Sequence, residues 1–270
     1  MNEPNDQWLE YTPDKTKIRY HRSYRKLKPK SLTYIGLILV PMIAGIDALI
    51  ILVIKPTTRI ICEITQQVLS TVISLPLIRI VPRTYLYNEI FIINFPGRYP
   101  STAVSILTAI GSLTVLFLIL ARNKPIDPKY VWLTFIFFIM LVSALYFTFF
   151  SGYFPYNLEI FSELYIKTEI AIWVIIPIVL SLALLPFPIP EYKKVAAILL
   201  TLGYSVVFCL VRYMVFLYVL RQFSYLYMAL MFFILGPFLD FIYIVGSYSL
   251  CIATASLKSS KDMELWNWLQ

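Results

Sequence analysis

Long apolar runs broken by short polar connections set the pattern of this chain. A helix needs about 20 mostly apolar residues to cross a hydrocarbon core. Six stretches meet that length, at about 33–54, 101–121, 130–151, 165–185, 195–219 and 238–256. The last lies inside a longer run, 224–256, interrupted by Gly236-Pro237. That dipeptide either kinks one helix or sets off 224–236 as a half-element. The pattern predicts an all-α polytopic membrane protein of about six transmembrane helices.

The segment 55–100 is read as a small cap outside the membrane, between helices 1 and 2. IICEITQQVLSTVISLPLIRIVPR is apolar, but Glu63, Gln66, Gln67 and Arg79 interrupt it. Residues 60–82 are therefore expected to form an amphipathic helix on the outer surface or a re-entrant element, limited by Pro76 and Pro82. YLYNEIFIINF, rich in β-branched and aromatic residues, reads as extended. PGRYPS reads as a turn, with Ser101 or Thr102 capping the next helix.

Charge between the runs gives the orientation. Arg122, Lys124 and Lys129 fill one loop, Lys193 and Lys194 another, and Lys258 and Lys261 follow the last span. The connection 152–164 carries Glu159 and Glu163 with no Lys or Arg. Putting both ends in the cytosol places every basic loop inside, as the positive-inside rule requires. A seventh span in 60–82 would reverse all of them. The expected organisation is a basic cytosolic tail 1–32, a membrane domain 33–256 with its outer cap 55–100, and a cytosolic tail 257–270. The expected location is the cell (plasma or inner) membrane.

Composition agrees. Of 270 residues, 59% are hydrophobic and 14% charged, and the mean hydropathy is +0.75. A soluble domain carries about 25% charged residues, so lipid replaces water around most of this surface. The net charge of +8 is not a nucleic-acid signal. Lys15, Lys17, Arg19, Arg22, Arg25, Lys26, Lys28 and Lys30 precede the first span, where a basic run sets topology and attracts anionic lipid. The first run is too long for a signal-peptide core and has no small-residue cleavage site, so it reads as a retained anchor. LPFPIPEYKK, with alternate prolines, reads as a stiff turn. Trp266 and Trp268 in ELWNWL read as an interfacial anchor on one side of a helix end.

Candidate chemistry is sparse. The one histidine, His21, sits in the basic tail, so no His-ligated zinc site, Ser-His-Asp triad or Cys-His dyad is expected in the membrane. Cys62, Cys209 and Cys251 show no paired spacing. No phosphate-cradling glycine motif occurs. Asp47 and Asp240 are the only pair to offer for an intramembrane aspartyl protease, and neither has a Gly-rich flank. No catalytic, cofactor-binding or metal-binding residue is assigned, no cofactor is expected, and the enzyme class is disfavoured.

Charges inside spans are functional candidates by default, because each costs about 2.5–3.5 kcal/mol on insertion scales. They are Asp47, Lys167, Glu169, Arg212 and Asp240. At 1.5 Å per residue, Asp47 lies about 20 Å up the first span and Arg212 about 26 Å up the fifth. Lys167 and Glu169 open the fourth, and Asp240 opens the last. All five are expected in the outer third of the bilayer, with Arg98 in the outer turn as a further candidate. Two uses stand open for them: a structural ion pair, Arg212–Asp240, or a polar pocket facing a substrate.

The stretch from Lys167 to Asp240 is faintly similar to the C-terminal part of exosortases and archaeosortases, membrane transpeptidases of surface proteins. The likeness lies in a helix entering from outside, the basic turn PEYKK, an arginine near the outer end of the next helix (FCLVRYM), and a further span. It covers about a quarter of the chain. The family's nucleophilic Cys position reads YIKTEIAI here, and its His has no counterpart, so only Arg212 carries over. The resemblance implies at most a degenerate relative without transpeptidase chemistry.

Three functions follow as expectations. The first is a non-enzymatic accessory or scaffold subunit of a membrane assembly or export complex, acting at the outer face. The second is a small transporter using Asp47, Arg212 and Asp240; the third is the degenerate exosortase-like protein. Expected partners are the bilayer, with anionic lipid at the N-terminal tail, and other membrane subunits, but no nucleic acid.

Overall fold

A computed structural model describes residues 25–27, 32–73, 78–121, 127–185, 187, 189–259 and 266–268. The basic tail up to Tyr24, the loop holding Arg122 and Lys124, and Lys261 lie outside the described residues, so the topology signals they carry are not observed. In chain order the elements are β1 (Arg25–Leu27), α1 (Leu32–Tyr34), a π turn (Ile35–Leu39), α2 (Val40–Ile73), β2 (Arg79–Tyr85), β3 (Asn88–Asn94), α3 (Thr102–Leu120) and α4 (Pro128–Phe150). There follow α5 (Leu158–Leu184), α6 (Glu191–Gln222), α7 (Met228–Ile234), α8 (Pro237–Ser259) and β4 (Trp266–Trp268).

Six helices are long and apolar enough to cross a membrane: Ile35–Val72, Thr102–Leu120, Pro128–Tyr153, Leu158–Leu184, Glu191–Gln222 and Tyr225–Ala253. The protein is a multi-pass, mostly helical membrane protein. The first and last described segments lie together, since β1 pairs antiparallel with β4, Arg25 opposite Trp268. This is the terminal end of the bundle; the β2–β3 hairpin marks the other. The Trp266–Trp268 segment is extended rather than helical. Its two-residue spacing matches the repeat of a strand, not the 3.6 of a helix.

The segment after the first span differs from expectation. Of the surface helix expected at 60–82, residues 60–73 instead continue the first span, α2 running through Lys55-Pro56 as one helix of 34 residues, while 74–77, with Pro76, lie outside the described residues. Proline removes one backbone donor, and the local damage is limited because Thr58 Oγ1 donates to the Ile54 and Lys55 carbonyls at 2.9 and 3.2 Å. With the π turn before it, the helical stretch Ile35–Val72 has 38 residues and is about 57 Å long, nearly twice a hydrocarbon core of about 30 Å. Its second half is thus free to carry the hairpin. Residues 79–82, expected within the amphipathic helix, belong to β2 (Arg79–Tyr85) instead, and Pro82 sits inside the strand opposite Phe91.

The hairpin lies lengthwise on that half of α2. Asn88 Nδ2 donates to the Ile51 carbonyl, Lys55 pairs with Glu89 at 2.6 Å, and Cys62 Sγ reaches the Phe91 carbonyl at 3.2 Å. The Phe91 N–H donates to Thr58 Oγ1 at 3.4 Å. Because that N–H points away from β2, Phe91 and Pro82 form a pair without mutual hydrogen bonds, a place where proline is tolerated. An open strand edge is costly near lipid, and β3 has its edge satisfied by side chains of α2 and α6. Ile90, Ile92 and Ile93 are buried completely.

Ser101 caps α3, accepting from the Val104 N–H, and Asn157 caps α5, accepting from Ile160. Helices α3 and α4 pair at the periphery, and α4 reaches the rest through α7. The core is built by α2, α5, α6 and α8 with β3. The final apolar run is broken where expected, at Gly236-Pro237, but both pieces belong to one crossing.

Candidate functional site

The core of the bundle contains a closed polar centre. Glu169 on α5, Arg212 on α6 and Asp240 on α8 are all almost fully buried. Arg212 Nη2 donates to both Glu169 oxygens at 2.8 and 2.9 Å and to Asp240 Oδ1 at 2.6 Å. Nη1 donates to Asp240 Oδ2 at 3.2 Å and to the carbonyls of Leu235 and Gly236 at 2.9 and 3.0 Å. The guanidinium carbon also lies 4.6 Å from the centre of the Phe208 ring.

The local sequence explains each position. Arg212 falls on the buried stripe of α6 that also holds Ile198, Ser205, Cys209 and Phe216, residues three, four or seven apart and so on one face. Glu169 belongs to the corresponding stripe of α5. Gly236 ends α7 and starts α8, and its carbonyl also accepts the Leu239 and Asp240 N–H groups. The break in the last crossing thereby exposes backbone oxygens, and the arginine occupies them. A fixed planar fork suits this multiple recognition better than a point charge.

Two tyrosines join this centre to the hairpin. Tyr165 and Tyr213 stack with ring centres 5.5 Å apart and planes within 3°. The Tyr213 hydroxyl accepts from the Ile93 N–H at 3.0 Å, and the Tyr165 hydroxyl lies 3.5 Å from the Cys209 carbonyl. Toward the terminal end, Ser205 and Tyr243 share a hydrogen bond of 2.6 Å. Thr201 and Ser247 follow one turn further along α6 and α8, and both line a cavity there.

The other candidates lie apart. Asp47 is half-buried on α2, and its Oδ1 is enclosed without a hydrogen-bond partner among the described residues. Lys167 is two residues from Glu169 yet turns to the hairpin, pairing with Glu163 and lying 5.6 Å from the Tyr85 ring. Arg98 is exposed, while its backbone ties the PGRYP loop to Leu220 and Tyr225. At that loop a Cβ on Gly97 would stand 2.3–2.5 Å from the phenol end of Tyr225, so a larger residue would have to displace that side chain. The apolar stretch that carries Asp240 starts at Tyr225 rather than near 238, about 20 Å before Asp240 along the helix path.

Sequence reasoning missed Tyr165, Tyr213 and the Gly236 carbonyl. Two weak signals existed: Tyr165 stands four residues before Glu169, and Tyr213 adjoins Arg212. Among 20 tyrosines neither is distinctive. Among the described residues no group of three or more His, Cys, Asp or Glu side chains is placed to hold a metal. Comparison of the chain with protein families, curated proteins and solved structures finds no match.

Proposed function

We propose that this protein is a non-enzymatic multi-pass subunit of a membrane assembly or export complex, residing in the cell membrane and presenting its hairpin cap at the outer face. The observation that carries the reading is that Arg212 spends its two terminal nitrogens on acceptors of its own chain. A guanidinium so engaged, next to two stacked tyrosines that reach the hairpin, serves to fix the cap on the bundle. The lysine-bearing connection at 193–194 lies at the terminal end, which supports a cytosolic position for that end.

A second reading, a small transporter, is favoured by one specific observation. Two carboxylates face one arginine, and the hydroxyls of Thr201, Ser205, Tyr243 and Ser247 lead from them toward the terminal end. Asp47 does not adjoin this line.

Complementation of cells whose own copy is deleted separates the two. Buried ion-pair networks replaced by apolar side chains of similar volume often cost little stability. The triple variant Glu169→Leu, Arg212→Met, Asp240→Leu, present at normal level, should complement under the scaffold reading. Substitutions at the exposed cap residues Arg98 and Tyr87 should not. The opposite result supports transport and refutes the scaffold.

A further inference from the structure

We propose that the cavity between α4, α5 and α7 at the hairpin end binds one anionic phospholipid, with its phosphate at Arg98 and Arg221 and a segment of acyl chain inside. The cavity measures about 200 Å³. A water takes about 30 Å³ in the liquid, and a methylene a similar volume, so the space accepts a chain segment of about six carbons. Its walls are apolar and largely aromatic, among them Phe154, Phe161, Tyr225 and Phe232. Ser143, a polar member of the wall, already donates to the Leu226 carbonyl at 2.7 Å. Leu164 and Phe233 in the same lining are 43% and 57% exposed, so the cavity opens sideways toward lipid.

The mouth lies at the membrane boundary. Phe154 and Tyr156 occupy the connection between the spans that end at Tyr153 and start at Leu158, and Tyr225 starts the last span. From Tyr225 the lining follows the chain inward to Phe233, eight residues on and about 12 Å deep. That stays within one leaflet, half of a hydrocarbon core of about 30 Å. The hairpin end is fixed by the fold, whichever face of the membrane it meets, so the site does not rest on the scaffold reading.

Charge selects the headgroup. Arg98 precedes α3 and Arg221 lies in the last turn of α6, so both stand at the same boundary. The Arg98 carbonyl accepts the Tyr225 N–H at 2.9 Å, and the Arg98 N–H donates to the Leu220 carbonyl, next to Arg221. Tyr225 therefore belongs both to the arginine-bearing junction and to the cavity wall. Arg98 is exposed, and Arg221 donates from Nη1 to the Pro96 carbonyl at 2.8 Å. Neither pairs with a carboxylate among the described residues, because Glu159 and Glu163 at this end of α5 are taken by Arg83 and Lys167. A guanidinium fork matches phosphate oxygens. With no carboxylate left to meet a choline, a zwitterionic headgroup gains less here than an anionic one.

The test is native mass spectrometry of the purified full chain with phosphatidylglycerol or phosphatidylcholine added. One tightly retained phosphatidylglycerol is expected, with weaker phosphatidylcholine binding; equal retention of the two overturns the proposal. Glycerol 3-phosphate at the same concentration should not displace the lipid, and displacement would mean a soluble-anion site instead. Arg98→Gln with Arg221→Gln should weaken retention about fivefold per charge; undiminished retention would remove the arginines from the site. Ala229→Phe, which fills the cavity and keeps both arginines, should abolish tight retention. If Ala229→Phe retains lipid like the wild type, binding is surface electrostatics and the proposal fails. Should these variants not fold, phosphatidylglycerol with a photoreactive acyl chain decides on the unaltered protein. Cross-links concentrated at Ala229, Phe232 and Phe233 support the site. Cross-links spread equally over exposed residues of α3 at similar depth, such as Leu107 and Ile110, overturn it.

Discussion

The Tyr213 hydroxyl accepts a hydrogen bond from the backbone N–H of Ile93 at 3.0 Å, although 120 residues separate the two. Tyr213 follows Arg212 in the chain and stacks on Tyr165, so one helix turn holds both the buried charge and the edge of the hairpin. Deleting the hydroxyl in Tyr213→Phe preserves the stack and leaves the Ile93 N–H enclosed and unpaired. An unsatisfied buried donor costs about 1–3 kcal/mol. Thermal unfolding should register that loss, and amide exchange at Ile93 should accelerate more than exchange within α3.

Arg212 has no tolerable single replacement. Arg212→Met leaves Glu169 and Asp240 facing each other in the core with two carbonyls unoccupied, and breaking a buried pair costs about 3–5 kcal/mol. Arg212→Lys should rescue only part of this, since one ammonium cannot reach both carboxylates and both carbonyls in the same geometry. Membrane protein level and thermal stability in detergent should rank wild type above Lys and Lys above Met. Equal levels for all three would show that the centre does not hold the helices.

The helices and the polar centre differ in how far the sequence disclosed them. Lipid imposes a uniform demand for apolar length, so the six crossings appear directly in the runs, and Ser101 appears as a cap from its place before one. The rod through Pro56 did not appear, because Lys55-Pro56 reads as an end. Only the Thr58 hydroxyl, bonded back to the Ile54 carbonyl, reveals how the helix continues. Residues 79–82 were misleading for a similar reason, since strand and helix both accept RIVP until β3 is present as its partner. Arg212 and Asp240 were visible as charges inside apolar runs. Their meeting with Glu169 depends on which stripes of α5, α6 and α8 face inward, a tertiary fact that hydropathy does not encode.

Glu89 gives a pH signature outside the spans. The Lys55 ammonium, 2.6 Å away, holds the Glu89 carboxyl below its usual range through a hydrogen bond and direct attraction. A carboxylate depressed in the folded state favours folding above its unfolded value, about 4.3, and that contribution fades as pH falls through the lower folded value. The pair is exposed, so the effect is small. Carboxyl NMR should show the Glu89 midpoint rising in Lys55→Gln, and exchange at the hairpin's turn should lose its acid dependence. An unchanged midpoint would mean the two groups do not pair in the membrane.

Gly236 is where backbone geometry and charge recognition meet. A Cβ there would stand 2.2 Å from the Phe232 carbonyl oxygen, and backbone cannot step aside as a flexible side chain does. Gly236→Ala must open the α7–α8 junction and move two carbonyls away from Arg212. A loss of about 3 kcal/mol is expected. Gly203→Ala is the control: its Cβ meets nothing within 4 Å, and replacing a mid-helix glycine is expected to stabilise by about 0.5–1 kcal/mol. Calorimetry of the two proteins should therefore move in opposite directions.

The tip of the hairpin pairs strain with exposure. Leu86 and Tyr87 both adopt positive φ, 49° and 64°, the conformation of a type I′ turn that Asn-Gly fills best. Bulky residues held there cost about 1–3 kcal/mol each, and the Tyr87 ring lies wholly in the open. Leu86→Asn with Tyr87→Gly relieves the strain, so the unfolding temperature should rise. Under the scaffold reading the same variant removes the most prominent apolar surface of the cap, and complementation should fall while protein level and thermal stability do not. A variant that is more stable and complements fully would leave the tip without a partner and the strain without a use.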